Sequence, residues 1–267
     1  MTKVYAIIQA RMNSKRFPGK VLKNINRKPM LHYVIKQVSA SKKISEIIVA
    51  TTRSLKDDPI VDYCKKNNIP YYRGSSNDVL ARYYECAKKF SCDIVVRISS
   101  DCPLIDPTMI DNIIKMYLTD SFDYVSNNIE KKNNLWINSL CNFPQGMVVE
   151  VSSFKILEKA WKDAKKLSER EHVFPYVQFN PKKFSRKNVI NSNDLSFIRC
   201  TVDQKSDLIF IKELIKKLKI KNQIVHISDI LKIVKDNPDL LQINNHISFD
   251  EGYKRSIQKD KKLSNKS

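Results

Sequence analysis

A group of cationic side chains follows the first apolar segment of the chain. Val4–Ile8 is a continuous apolar run with β-branched residues, which predicts a strand buried on both faces. The loop that follows contains four cations, a serine and a Pro-Gly turn, at Arg11, Ser14, Lys15, Arg16, Pro18, Gly19 and Lys20. Cations beside backbone N–H groups that a turn leaves free suit a polyanion such as a triphosphate. The alternative is a basic loop that is only a solvated surface, but its attachment to a buried strand favours a phosphate site.

The elements that must position this loop alternate between predicted strands and predicted helices. Further strands are predicted at Ile44–Thr51, Ile69–Arg73, Cys92–Ile98, Phe122–Ser126, Met147–Val151 and Ile198–Val202. Helices are predicted from Pro29, after a cap at Asn77 or Asp78, and over Asp57–Asn68, Pro107–Leu118, Phe154–Ala164, Ser168–Phe179 (interrupted near Pro175) and Asp207–Leu218. This alternation predicts a Rossmann-like α/β fold, with a mostly parallel sheet flanked by helices and right-handed crossovers. The cationic loop then leaves the carboxyl end of the first strand, where such sheets bind ligands.

The later part of the chain is predicted to add a smaller lobe and a tail. We expect a single domain over residues 1–236, to which about 128–190 contribute the lobe. Within it, the polar segment Asn127–Pro144 is typical of a mobile connection or lid. Residues 237–267 form a basic extension. Residues 254–267 are predicted to be disordered, because they hold six cations, one acid and almost no apolar residue.

Composition limits the class of protein. The chain has 267 residues, is 42% hydrophobic, and carries 48 Lys and Arg against 28 Asp and Glu, a net charge of +20. The charge raises the question of nucleic-acid or membrane binding, but the lysines are scattered along the chain and not clustered with aromatic residues. The six cysteines form no C-x-x-C pair and no zinc spacing. With no signal peptide and no apolar run of about 18 residues, we expect a reduced, cytoplasmic protein without a membrane segment.

Several motifs resemble those of one enzyme family. The segment A-R-M-N-S-K-R-F-P-G-K at 10–20 is similar to the A-R-x-x-S-x-R-x-P-G-K signature of the cytidylyltransferases that make CMP-activated sugars, and most similar to their spore-coat-polysaccharide, SpsF-like branch. Further matches follow in the family's order: D-D-P-I-V (57–61), R-G-S-x-x-D-V-L-x-R-Y (73–83), V-V-R-I-S-S-D-C-P-L-I-D-P (95–107), S-E-R-E-H-V-F-P-Y (168–176) and R-C-T-V-D (199–203). The resemblance covers about residues 3 to 220. It implies a nucleotidyltransferase fold of the GT-A-like kind.

The resemblance implies roles for the cationic loop. Arg11, Ser14, Arg16 and Lys20 would grip the triphosphate of CTP. Lys20 is the first choice for the α-phosphate, because it lies last in the loop and nearest the sheet. Lys15 fills a variable place in the signature and is expected to face solvent. Lys20, Arg16 and Asp101 are the predicted catalytic residues.

A second group would close around the base and ribose. Arg73, Asp78 and Arg82 match that stretch of the family, and Arg73 and Ser75 could read the O2 and N3 atoms of cytosine. Asp78 has an alternative role as a helix cap with Arg82 as its i+4 partner. Ser100 is expected to face the nucleotide.

Two aspartates are the predicted Mg²⁺ ligands. Asp101 and Asp203 each follow a predicted strand and match the two metal-binding aspartates of the family. Mg²⁺ often takes only one or two carboxylates, with phosphate and water completing its octahedron. The alternative for either residue is a helix N-cap.

The predicted acceptor site rests on Gln145, Glu150, Arg170, Glu171 and His172. Arg170 and His172 could bind a carboxylate or phosphate of the acceptor, and His172 could assist deprotonation, although a histidine in a mixed helix is more often a packed or surface residue. The branch usually reads D-G-x-D-x-E where this chain has Gln145-Gly146-Met147-Val148-Val149-Glu150. The loss of two carboxylates there should alter which acceptor is recognised.

These residues together predict a Mg²⁺-dependent cytidylyltransferase. It would transfer CMP from CTP to an acidic sugar in surface glycan (polysaccharide) biosynthesis and release pyrophosphate. A small phosphonate or phosphate acceptor is the alternative within the class. The alternatives outside it are a non-catalytic nucleotide-binding member and a basic nucleic-acid-binding protein. The expected partners are CTP and a small anionic acceptor, with no specific nucleic acid and no membrane, and the resemblance suggests a homodimer formed through the smaller lobe.

Overall fold

The computed structural model of the chain describes residues 2–127, 131–132, 135–136, 142–218, 224–248 and 251–264. The strands, in chain order, are β1 (Val4–Gln9), β2 (Asn24–Ile25), β3 (Lys28–Pro29), β4 (Glu46–Thr52), β5 (Tyr71–Gly74), β6 (Ile94–Ser99), β7 (Tyr124–Ser126), β8 (Lys131–Lys132), β9 (Leu135–Trp136), β10 (Glu150–Ser153) and β11 (Arg186–Asn188). The helices are α1 (Met30–Ser39), α2 (Asp58–Lys66), α3 (Val79–Lys89), α4 (Pro107–Thr119), α5 (Phe154–Asp163), α6 (Leu167–His172), α7 (Pro175–Gln178), α8 (Lys205–Lys217), α9 (Ile227–Asp236) and α10 (Glu251–Ser264). Short 3-10 turns occupy Lys20–Leu22, Leu55–Asp57 and Pro238–Ile243.

Seven strands form one mostly parallel sheet in the order β11-β7-β10-β6-β1-β4-β5. β1 pairs in parallel with β4 and β6, whereas β10 runs antiparallel to both β6 and β7. The predicted fold class, a mostly parallel α/β sheet flanked by helices, is confirmed.

The central strands are apolar throughout because helices cover both faces of the sheet. Ala6 and Ile8 of β1 belong to the core cluster that includes residues of α1, α4 and α8. Ile7 points to the other face and joins the cluster that includes residues of α3 and α5. Tyr83 of α3 is fully buried there and donates a hydrogen bond from its hydroxyl to the carbonyl oxygen of Ile7, at 3.1 Å.

Two sequence predictions differ from the structure. Ile198–Val202 is not a strand: its only described pairing is a single bridge between Arg199 and Gln145. Most of the predicted connection Asn127–Pro144 lies outside the described residues. The predicted disorder from residue 254 is wrong as far as 264, where α10 forms a helix. The composition of this segment did not indicate a helix, because it contains few apolar residues. The helix buries only a narrow face against α6, which includes Tyr253 and Ser256, while its other side carries lysines.

The loops after β1, β4, β5 and β6 meet at one edge of the sheet. From β1 the chain adds β4 and then β5 on one side, and it returns to place β6 on the other side. Gln9 at the end of β1 therefore lies beside Ser99 at the end of β6. This reversal of strand order is where open α/β sheets form a ligand crevice. Within the described part of the chain, no helix combines the length and the apolar character that crossing a bilayer requires.

Candidate active site

The cationic loop is held in a compact turn by its own backbone. The N–H of Gly19 donates to the carbonyl oxygen of Met12 at 2.8 Å, and the N–H of Ser14 donates to the same oxygen at 3.0 Å. Gly19 has a φ of 71°, a left-handed conformation that glycine adopts without a steric penalty. The turn then leads directly into the 3-10 turn that starts at Lys20.

A buried aspartate ties this loop to the neighbouring strand. One carboxylate oxygen of Asp57 accepts a hydrogen bond from the N–H of Met12 at 2.7 Å, and the other accepts from the hydroxyl of Thr52 at the end of β4. Asp57 is only 1% exposed. The D-D-P-I-V motif therefore contributes to the site by positioning the loop.

Lys20 lies at the centre of the crevice. Its ammonium donates to the carboxylates of Asp101 and Asp203, at 2.8 and 2.9 Å, and to the carbonyl oxygen of Val202 at 2.7 Å. Burial alone lowers the pKa of Lys20, but the two carboxylates outweigh it and raise the pKa above its usual value. Burial raises the pKa of Asp101, but the ammonium of Lys20 and hydrogen bonds from neighbouring groups hold it well below its usual range. Lys20 and Asp101 are therefore both charged at neutral pH.

The structure excludes the capping alternative for both aspartates. The backbone N–H groups of Asp203 and Gln204 donate to Asp207, so Asp207 satisfies the start of α8. Helix α4, which follows Asp101, is capped by the carboxylate of Asp106. The carboxylates of Asp101 and Asp203 are thus directed to Lys20.

Asp203 is shared by three cations. Besides Lys20, it pairs with Arg16 at 2.6 Å and with Arg199 at 3.2 Å. Arg199 also pairs with Asp207 at 2.9 Å and donates to the side-chain oxygen of Gln145 at 3.1 Å. Gln145, predicted to contact the acceptor, instead lies behind Arg199.

The next residue, Gly146, has a φ of 91°, and a Cβ there would lie 2.6 Å from the backbone nitrogen of Thr201. Glycine is therefore required at this close approach.

Asp101 and Asp203 form an oxygen-donor pair that suits a hard cation. Both contact the same ammonium, and both lie beside loop cations that would hold phosphate. Among the described residues, no group of three or more acidic, histidine or cysteine side chains gathers at one point. A cation here would therefore take at most these two protein carboxylates, and the rest of its ligands would come from substrate and water, as is usual for Mg²⁺.

A cleft of about 260 Å³ opens above these residues. Its described lining includes eight cations against three carboxylates: Arg11, Lys15, Arg16, Lys20, Arg82, Arg97, Arg255 and Lys259 against Asp101, Glu171 and Asp203. Ser14, Ser100 and His172 also line it. The cleft is thus suited to ligands that carry several negative charges.

A second cleft of about 330 Å³ adjoins the first and shares part of its wall. Its polar lining comes from the ends of β4 and β5 and from α6, and includes Thr52, Ser54, Asp57, Ser76, Asn77 and Arg170. The shared wall consists of Arg11, Lys15, Val79, Glu171 and Lys259. Lys15 was predicted to face solvent only; it is exposed and also borders both clefts.

Two predicted base contacts face away from the clefts. Arg73 donates to the carbonyl oxygens of Thr52 and Ser54, at 3.0 and 2.8 Å, and pairs with Asp58 at 2.7 Å. The hydroxyl of Ser75 accepts from the backbone N–H of Asp78 at 3.1 Å. Neither residue belongs to the described lining of either cleft. Arg73 and Ser75 therefore shape the turns that present their neighbours.

Asp78 and Arg82 do not form the predicted i+4 pair. Asp78 caps α3 by accepting from the N–H of Ala81 at 2.8 Å, and it also pairs with Arg170 of α6. Arg82 donates to the carbonyl oxygen of Ser75 at 2.7 Å. Burial lowers the pKa of Arg82, which lines the first cleft. The capping alternative for Asp78 is confirmed.

Glu150 acts behind the cleft through Arg97. Glu150 is 1% exposed and forms a close ion pair with Arg97 of β6, and it accepts from the hydroxyl of Tyr124 at 2.7 Å. No acceptor among the described residues pairs with the buried Nε of Arg97. Arg97 was not among the predicted site residues, although an arginine within the apolar run of β6 was a signal for it.

His172 of α6 reaches the first cleft as a neutral imidazole. Burial and the nearby charge of Arg97 lower its pKa to about 4, against a smaller opposite effect of Glu171. Its Nε2 lies 3.1 Å from the hydroxyl of Ser256, which in turn donates to Glu171 at 2.7 Å. Because that hydroxyl has only one proton, the Nε2 of His172 must carry the proton between them. In this arrangement Nε2 cannot accept a proton.

Comparison with known proteins agrees with this geometry. A family model described as cytidylyltransferase matches residues 5–233. An uncharacterized protein of Methanocaldococcus jannaschii is 36% identical over 247 residues, which is 92% of this chain and 96% of that protein. The spore coat polysaccharide biosynthesis protein SpsF of Bacillus subtilis is 27% identical over 255 residues, 90% of this chain and 97% of that protein.

A solved structure shows the same architecture. The structure of a cytidylyltransferase from Leptospira borgpetersenii superposes with a TM-score of 0.83 at 31% identity, and the match covers 93% of this chain and all of that one. The predicted resemblance is thereby confirmed. The chain belongs to the cytidylyltransferase family and is a CTP-dependent nucleotidyltransferase.

Proposed function

We propose that the protein is a Mg²⁺-dependent cytidylyltransferase that transfers CMP from CTP to an anionic acceptor, with an acidic sugar for surface glycans as the first candidate. The observation that carries this proposal is Lys20 held between Asp101 and Asp203 at the floor of a cationic cleft. A lysine that can bind an anion, beside two carboxylates that can bind a cation, is what phosphoryl transfer with a bound cation requires.

The nucleotide would lie across both clefts. The second cleft offers hydroxyl, amide and backbone groups of Thr52, Ser54, Ser76 and Asn77 for the cytosine and ribose. The triphosphate would then extend into the first cleft, toward Lys20.

The reaction breaks one bond and forms another at the α-phosphorus. An oxygen of the acceptor attacks that phosphorus in line with the departing pyrophosphate, whose bridging oxygen takes the electron pair. If the attacking oxygen is a hydroxyl, its proton passes to solvent water or to the released pyrophosphate. Arg11, Ser14, Arg16 and Lys20 orient the triphosphate and stabilise its developing charge. Mg²⁺ held by Asp101 and Asp203 would supply further neutralisation of that charge.

A cation outside the cationic loop, Arg97, favours an anionic acceptor. Arg97 lies in the first cleft on β6, outside the loop, and its Nε has no described hydrogen-bond partner. A carboxylate, phosphate or phosphonate of the acceptor could satisfy it. His172 would bind the acceptor as a hydrogen-bonding group, and its neutral state disfavours a role as a strong base.

The test is release of pyrophosphate with Mg²⁺. Each of the four nucleoside triphosphates would be supplied with pools of acidic sugars, phospho-sugars and small phosphonates. We expect release with CTP only, and a loss of at least about 10³-fold in Asp101→Ala, while Asp62→Ala, an exposed acid on α2, remains active. Absence of both release and CTP binding would overturn the proposal.

We also propose that the chain forms a homodimer through residues 128–190. The proposal further includes a cytoplasmic location and a single domain over residues 1–236. Sedimentation or light scattering at several concentrations would test the dimer. A mass of one chain at every concentration would refute it.

A further inference from the structure

Helix α10 borders both clefts although it lies beyond the residues that the family model matches. That model ends at residue 233, and α10 covers Glu251–Ser264. Gly252, Arg255, Ser256 and Lys259 of α10 line the first cleft, and Lys259 also lines the second. These positions are spaced i, i+3, i+4 and i+7, so they share one face of the helix. Lys254 is exposed and lies on the opposite face.

Specific contacts seat α10 on α6. The hydroxyl of Ser256 donates to Glu171, and the backbone N–H of Ser168 donates to the carboxylate of Asp260 at 3.2 Å. The ring of Tyr253 meets that of His172 edge to face, with 5.0 Å between centroids. These contacts fix the rotation of the helix, and its cationic face is therefore turned toward the clefts.

The position of Lys259 matches the path of a nucleotide. A ligand with its base in the second cleft and its α-phosphorus near Lys20 must cross the wall that the two clefts share. Lys259 stands in that wall with Arg11 and Lys15, and Arg255 follows it in the first cleft. A phosphate chain on this path would pass beneath two cations of α10.

The first residue of α10, Glu251, would weaken the binding of phosphate in the same cleft. The carboxylate of Glu251 pairs with Arg16 at 3.1 Å, while the other amino group of that guanidinium pairs with Asp203. Both terminal amino groups of the Arg16 guanidinium are thus engaged by carboxylates. A phosphate that binds Arg16 must compete with Glu251.

We propose that α10 is part of the nucleotide site: Arg255 and Lys259 bind phosphate oxygens of CTP, and Glu251 releases Arg16 when the triphosphate enters. The inference rests on the proposed function, because it takes CTP as the ligand. Within this one helix, Arg255 and Lys259 would strengthen the binding of CTP, whereas Glu251 would weaken it.

The experiment is calorimetric titration of the full chain with CTP, CMP and cytidine in the presence of Mg²⁺ and without acceptor. We expect the double variant R255A/K259A to bind CTP about tenfold more weakly, to bind CMP less than about threefold more weakly, and to bind cytidine unchanged. The dependence of CTP affinity on salt should also decrease. K254A is the matched control and should bind all three ligands as the wild type does. E251Q should bind CTP about threefold more tightly, because a competing charge is removed.

Each outcome separates the inference from the function on which it rests. If the wild type binds CTP and R255A/K259A binds it within about twofold of K254A, the role of α10 is refuted and the cytidylyltransferase proposal stands. Weaker binding by E251Q would refute the competition at Arg16. If the wild type itself does not bind CTP, both proposals are overturned.

Discussion

The loop after β1 and helix α10 both bring cations to the same clefts, but they are held in different ways. The loop is fixed by hydrogen bonds of its own backbone, to Met12 and to the buried carboxylate of Asp57. Helix α10 is held largely by side chains such as Ser256 and Tyr253, which pack against the short helix α6. In the proposed function the loop is therefore shaped for phosphate before the ligand arrives, whereas we expect α10 to detach locally at a small cost to the stability of the sheet.

Substitution of Lys20 should have the largest effect, because in the proposed function this residue brings the charge of the loop to the reacting phosphate. In Lys20→Ala, Asp101 and Asp203 would face each other without the ammonium between them. We expect turnover, measured as pyrophosphate release, to fall by at least about 10³-fold. Lys23→Ala, which removes an exposed lysine three residues later, should leave turnover unchanged. Equal turnover in the two variants would show that the loop does not act through Lys20.

Substitution of Asp57 tests whether the loop is held from the core. Asp57→Ala would leave the N–H of Met12 without its acceptor and would remove two hydrogen bonds to a buried carboxylate. We expect the free energy of unfolding to fall by about 3 kcal/mol, together with weaker CTP binding. Urea unfolding and CTP titration measure these two effects. The matched variant Asp62→Ala should change neither quantity, and normal CTP affinity in folded Asp57→Ala would contradict the anchoring role.

Substitution of Tyr253 should loosen α10 without lowering the stability of the whole protein, unlike substitution of Asp57. Tyr253→Ala would remove a buried ring from the seat on α6, and we expect trypsin to cleave at Lys254 and Arg255 about tenfold faster. The urea midpoint of the rest of the protein should change little. If instead the whole protein is strongly destabilised, α10 is part of the core and the contrast with the loop fails.

The pH dependence of His172 should be the smallest effect. The folded protein takes up a proton at His172 only near pH 4, whereas the unfolded chain takes it up near pH 6.5. Stability should therefore fall as pH decreases from about 6.5 to about 4. His172→Gln should show a shallower fall over this range, as measured by the urea midpoint at several pH values. Parallel curves for the two proteins would indicate that His172 is not buried in its neutral form.

The cationic loop could be predicted from sequence because its signals are local. An apolar run, a turn at Pro18-Gly19 and the cations between them are contiguous, and the structure brings Arg11, Ser14, Arg16 and Lys20 into one cleft. The structure directs Arg73 and Ser75 to backbone groups, and no local signal in the sequence reveals this. A polar residue at a strand end can face the ligand or the backbone of the next turn, and the two choices have the same sequence pattern.

Two further features depend on contacts that sequence spacing does not reveal. The carboxylate of Asp207, in the first turn of α8, accepts the backbone N–H groups at the start of that helix, and this leaves the carboxylate of Asp203 for Lys20. Before the fold is known, either aspartate could serve the helix start. Glu150 was predicted to touch the acceptor, but its strand pairs with β6 and directs it to Arg97.

The sequence by itself determined the fold class and the cationic loop, because buried strands and short turns carry their signals within a few residues, and the resemblance of its motifs pointed to Asp101 and Asp203. The tertiary structure decided which polar groups face the clefts, and it placed α10 beside a loop more than 230 residues away in the chain, where Arg16 and Glu251 pair across a separation of 235 residues. Such pairings depend on how the helices and strands pack together, because the sequence of one segment does not show which distant segment will lie beside it.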